Sequence, residues 1–169
     1  MGTAVEARTT TGIARVGESI PLEVVVEISE TLTDVLADMF VLYVKTRNFH
    51  WHMSGPHFRD YHLLLDEQAK QVFATVDALA ERCRNIGGQT IRSIGEIVRR
   101  QRLKDCEVDL SPEEMLGALR TDNLKIREFL MAAHAVCDQH QDVATASALE
   151  NWIDEAERRI WFLIEKTRC

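Results

Sequence analysis

With 169 residues, 46% hydrophobic and 28% charged, the chain is sized for one domain with a sizeable core. Its 20 basic against 27 acidic side chains leave a net charge of −7, which argues against a simple polyanion binder and suits a protein that attracts cations. The longest apolar run, Met39 to Val44, is too short to span a bilayer, and four scattered cysteines with no signal peptide before them predict free thiols in a soluble, cytoplasmic protein.

Residues 1–20 carry no sustained helical period and are expected to form a mobile, overall neutral tail, with the single domain over 21–169. A first helix is predicted from Pro21, with an apolar stripe through Leu22, Val25, Ile28, Leu32, Leu36, Met39 and Tyr43. Leu36, Tyr43 and His50 step by seven, so His50 extends that inward stripe while His52 lies roughly 200° round from it. Ser54-Gly55-Pro56 ends this helix, and a second is expected from about His57 to Ile86, stopping at Gly87-Gly88. The connection over 89–110 holds a short helix around Ser93–Arg102. Ser111-Pro112-Glu113-Glu114 combines a capping box with proline in the first turn and opens a third helix to about Asp138; a fourth runs from near Asp142 to about Glu165. Scarce glycine and proline and four long helices predict an all-α four-helix bundle with a short extra helix in the long middle connection.

His62, Asp66, Asp77 and Glu81 fall at roughly 0°, 40°, 60° and 100° around the second helix, on one face. A charged helix face is ordinarily just solvated. Here, however, His62/Asp66 and Asp77/Glu81 are i,i+4 pairs, each with two donors about 6 Å apart, and imidazole with carboxylate suits iron, zinc or manganese. One helix cannot join both pairs on one metal, because Asp66 and Asp77 lie ~16 Å apart along the axis and ligands must come within ~2.6 Å of the ion. The residue numbers of His62 and Glu81, and of Asp66 and Asp77, add to the same value. Two copies packed antiparallel about a two-fold axis near Gln71 and Val72 therefore set His62 opposite Glu81 and Asp66 opposite Asp77, making two identical sites. His50 could complete each. The chain contains no Glu-x-x-His, which counts against an intrachain di-iron oxidase.

His50-Trp51, His62, Asp66, Asp77 and Glu81, with "GPHF" and "DALAER" between them, "NIGG" after the second helix and "WFLIE" near the C-terminus, resemble the motif set of the Dps proteins. These are the miniferritins of the ferritin-like superfamily, and the likeness covers about residues 22 to 166. The resemblance implies a hollow homododecamer with ferroxidase centres at its two-fold dimer interfaces. His50, His62 and Asp66 would come from one subunit and Asp77 and Glu81 from its mate. It implies Glu81 as the main anionic ligand, Asp66 as the weaker or second-iron one, and Trp51 as a redox-active aromatic beside the centre. The implied activity is oxidation of Fe(II), preferably by hydrogen peroxide, with storage of ferric mineral in the cavity, protecting the cell and its DNA. Zinc is the expected competitor for a His/carboxylate site. The rival reading is a non-enzymatic shell that compacts DNA or binds zinc.

The chain departs from the family pattern in two places. His52 stands where asparagine is common, and on a helix it points away from His50. No lysine-rich terminal tail is present, and the strongest basic run, Arg99-Arg100-Gln101-Arg102-Lys104, reads as solvated connection, so direct DNA binding is doubtful. His52, His57, His134 and His140 are expected to stay off the metal. By resemblance, Asp142 and Glu150 are candidates for iron-entry pores, and Cys169 is expected at an exposed chain end.

Overall fold

The structure, a computed structural model, describes residues 20–167. All but the last residue of the expected tail over 1–20, and Cys169, lie outside the described residues. Among the described residues five helices make up the fold: α1 (Leu22–His52), α2 (Phe58–Asn85), α3 (Ile94–Arg100), α4 (Pro112–Gln139) and α5 (Val143–Thr167).

Several helix ends have a local cause. Ser93 Oγ accepts the Glu96 N–H to start α3, and Ser111 and Glu114 exchange backbone and side-chain bonds to start α4, the predicted capping box. At the end of α2 the Gly87 N–H donates to the Arg84 carbonyl and the Gly88 N–H to that of Cys83, a Schellman closure with Gly87 at φ 91°. Gly88 is needed for space as well, since a Cβ there would lie 2.3 Å from that of Ser29. The end of α4 repeats the closure, Gln141 to Asp138 and Asp142 to Cys137, but with Gln141 at φ 57°.

The topology follows from side-chain contacts. The end of α2 meets the N-terminal part of α1, where Cys83 touches Thr33, so the two run antiparallel. The connection then travels along α1: Arg102 reaches Asp38, the Lys104 carbonyl accepts from Lys45, and the Cys106 carbonyl accepts from Asn48. It thereby delivers the start of α4 to the far end of α1. Contacts from Lys45 to Asp122 and from Glu27 to His140 make α4 antiparallel to α1, and thus parallel to α2. The long connection crosses the bundle, and α5 pairs chiefly with α4.

The core is laid down in steps of seven: Leu65, Val72 and Leu79 on α2, Leu149, Ala156 and Leu163 on α5, all essentially buried. They meet Ile28, Leu32, Leu36, Met39 and Leu42 from α1 and Leu116, Leu119, Ile126 and Leu130 from α4. Each fully buried Leu or Ile contributes about 1.5–3 kcal/mol relative to exposure.

Gln141 carries a side chain where the closure favours glycine. Gln141→Gly is expected to stabilise the fold by about 1 kcal/mol, since the left-handed conformation costs a non-glycine residue about that much. Chemical denaturation checks it; an unchanged or lowered midpoint rejects the strain.

Candidate metal centre

Met53 leaves helical geometry at the end of α1, and the turn through Gly55 (φ 91°) and Pro56 restarts the chain as α2. This tight return sets His50, in the last turn of α1, against His62, in the second turn of α2. Their rings stack with centroids 3.7 Å apart and planes 23° from parallel. The pairing is reciprocal: His50 Nδ1 lies 2.9 Å from the His62 carbonyl, and His62 Nδ1 lies 2.9 Å from the His50 carbonyl. Carbonyls only accept, so each Nδ1 carries the proton. In the neutral rings each Nε2 is then a lone-pair donor, the form in which histidine binds metals. His50 is buried, as its place on the inward stripe predicted, and His62 is half-buried.

Asp66, one turn beyond His62, points its oxygens elsewhere. Oδ1 accepts from Arg47 Nη1 at 2.6 Å and Oδ2 from Lys70 Nζ at 2.7 Å. The hydrogen bond from Lys70 and then that from Arg47 hold the Asp66 carboxyl down at about 2. Trp51 is largely exposed, with the Arg47 guanidinium carbon 5.7 Å from its ring centre. Asp77 and Glu81 lie farther along α2, both exposed. Among the described residues no group of three or more His, Cys, Asp or Glu side chains is placed to hold a metal ion. One chain thus brings His50 and His62 together, but keeps Asp77 and Glu81 apart from them and Asp66 clamped by cations. Arg47 was missed in the sequence; its signal was its place one turn before His50.

An open apolar groove lies beside the distant carboxylates, lined by Phe40, Phe73, Val76, Ala80 and Ile91 together with Asp77 itself. Phe73 is half exposed and tilts against the Tyr43 ring at 4.9 Å.

The remaining histidines have other surroundings. His140 Nε2 lies 2.8 Å from Glu27 and His134 Nε2 3.2 Å from Glu150. His52 is exposed, with Nδ1 on the Asn48 carbonyl of its own helix, and exposed His57 tilts against Tyr61. Of the pore candidates, Asp142 caps α5 through the Thr145 N–H at 3.1 Å and pairs with Arg82 at 2.9 Å, its side chain only 8% exposed. That carboxylate is committed within the subunit. Glu150, which faces His134, is mostly exposed.

Two cations of the basic run, Arg100 and Arg102, are ion-paired. Arg100 binds Glu30 and Asp34, each at 2.8 Å, and Glu96 at 3.2 Å, while Arg102 binds the buried Asp38 at 2.7 Å. The bundle interior, where an intrachain di-metal centre would lie between helices, contains cations instead. Lys45 pairs with Asp122 at 2.6 Å, and Arg159 donates to Asn123 Oδ1 at 2.7 Å, both cations being buried.

Residues 29–168 match the family model described as a ferritin-like domain, which fixes the class of the molecule. A "DNA protection during starvation protein" of Brevibacillus brevis is 32% identical over 128 residues, 76% of this chain and 86% of that protein. An uncharacterized low temperature-induced protein of Nostoc is 34% identical over 134 residues, 78% of this chain and 75% of that one. The solved structure of a Dps protein from Bacillus brevis superposes with a TM-score of 0.84 at 28% identity, covering 88% of this chain and all of that one. Dps from Thermosynechococcus elongatus gives 0.83 at 26% identity, over 85% and 91% of the two chains. The chain belongs to the Dps family of ferritin-like proteins.

With its folded-state carboxyl held at about 2, Asp66 keeps its ion pairs intact above the unfolded carboxylate range and loses them only as pH falls through the folded value. Asp66→Asn is therefore expected to lower the denaturation midpoint slightly at neutral pH and to have less effect as the pH falls toward the folded value. An equal effect at both ends of that range would reject the depressed carboxyl.

Proposed function

We propose that the protein is a ferroxidase and iron store whose centres form only between subunits. The observation that carries this reading is the divided donor set on α2. The reciprocal His50/His62 pair and Asp66 lie at one end of its face, and exposed Asp77 and Glu81 at the other, beside an apolar groove. An antiparallel, two-fold pairing of α2 helices unites each half with the complementary half of a mate and buries the groove. His50, His62 and Asp66 of one subunit, with Asp77 and Glu81 of the other, then offer neutral imidazole and ionised carboxylate to Fe(II), the substrate. Zinc fits the same donors and is the expected competitor.

Two Fe(II) held together deliver two electrons to one hydrogen peroxide. With two protons taken up, the products are two Fe(III) and two waters, and no hydroxyl radical is released. A lone Fe(II) supplies one electron and does release it. Trp51, exposed beside the centre, is the proposed redox-active aromatic. The relatives named for DNA protection during starvation support a protective role of this kind. Half-exposed Phe162 of α5, which lines a shallow pocket with Leu64 and Gln71 of α2, adds apolar area beside the proposed pairing face of the subunits, and the assembly proposed is a closed homododecamer storing ferric mineral.

Substituting both histidines, His50→Ala/His62→Ala, is expected to slow peroxide-driven Fe(II) oxidation by at least ~100-fold. Native mass should stay that of the wild-type dodecamer. Unchanged kinetics in an intact assembly would reject the centre. Duplex DNA is not expected to be retarded in gels at physiological salt, because the net charge is −7 and Arg100 and Arg102 are ion-paired. Retardation that weakens steeply with added salt would restore the DNA-binding alternative.

A further inference from the structure

Both oxygens of Asp66 are occupied by cations, and the two cations differ. Lys70 is 73% exposed on a flexible stem and joins Asp66 as an i,i+4 pair on α2. Such a pair contributes little and exchanges readily with water. Arg47 comes from the neighbouring helix, is 24% exposed, and packs toward the Trp51 ring 5.7 Å away. Its guanidinium cannot lose its charge and holds its donors in a fixed plane. An incoming cation can take Oδ2 from Lys70 at small cost, whereas Oδ1 stays with Arg47.

Resting on the proposed ferroxidase reading, we infer that Arg47 sets the order in which the centre takes up its two metal ions. It limits Asp66 to one free oxygen and keeps a permanent positive charge beside the second position. The first divalent ion meets imidazole and the partner carboxylates without this repulsion. The second must either accept a one-oxygen ligand flanked by a cation or displace the guanidinium toward Trp51. Pairwise oxidation needs both positions filled, so Arg47 fixes the Fe(II) level at which peroxide is consumed by the two-electron route. It is a specificity-determining residue that acts through Asp66.

The test uses Zn2+, which undergoes no redox change, titrated into the assembled protein against a chromophoric chelator. Wild type is expected to bind in two separated steps. Arg47→Gln should tighten the second step by about tenfold, the scale of removing one nearby, partly screened charge, and leave the first in place. Lys70→Gln should move either step by no more than about twofold. Arg47→Lys, which keeps the charge, should keep the steps apart. Arg47→Met, which keeps the stem against Trp51, carries the same expectation as the glutamine variant and replaces it if that variant fails to assemble. A second step unmoved in the charge-removing variants, while His62→Ala abolishes the first, overturns the role of Arg47 alone. A first step that survives His62→Ala overturns the centre itself.

Discussion

A helix fixes the separation of its own side chains at ~1.5 Å per residue, and nothing in the rest of the chain can change it. On α2 this rigidity holds His62 and Asp66 about three turns from Asp77 and Glu81. The tight turn after α1 delivers His50 to His62, but among the described residues no group of three or more His, Cys, Asp or Glu side chains is placed to hold an ion. The division of the donor set is therefore built into the secondary structure. In the proposed pairing, the contact that buries the apolar groove is the same contact that completes the chemistry. A subunit alone would have neither.

The bundle interior follows the same logic in reverse. Facing polar residues on four helices could themselves surround an ion, and here they surround cations of the protein. Lys45 reaches Asp122 and the Lys104 carbonyl across α1, α4 and the connection. Arg159 sits on Asn123, and burial pushes its guanidinium down to about 10. Removing one partner of such a pair strands the other in a medium that solvates it poorly, so these contacts fix the relative register of the helices. Among the described residues, the interior carboxylate Asp122 is thereby already paired with a cation of the protein.

Most of the fold was legible because it depends on local signals. The capping box at Ser111, the paired glycines after α2 and the apolar stripe through Val25, Ile28, Leu32, Leu36 and Met39 are each written in short local patterns. The helix ends fell within a few residues of expectation for the same reason. The inward direction of His50 and the outward direction of His52 could also be read from helical phase. What could not be read was which charges meet across helices. Asp142 carries the acidic character of a pore residue, yet Arg82 from α2 and the cap of α5 engage it. Arg100 and Arg102 look like a basic patch until α1 supplies Glu30, Asp34 and Asp38. Arg47 looked like an ordinary helix arginine because its partner, Asp66, is nineteen positions away on the next helix.

Those cross-helix pairs leave the charge of α2 graded along its length. Near His62 the carboxylate of Asp66 is offset by Arg47 and Lys70; near Glu81, Asp77 and Glu81 join no ion pair among the described residues. Antiparallel pairing would set the open end of one helix against the clamped end of its mate, so each centre receives two uncompensated carboxylates and one compensated. A first divalent ion would neutralise the open pair and find two neutral imidazoles beside it. A second would meet no uncompensated charge unless Arg47 yields. The asymmetry between the two positions thus needs no difference in ligand type, because it follows from which carboxylate already has a partner.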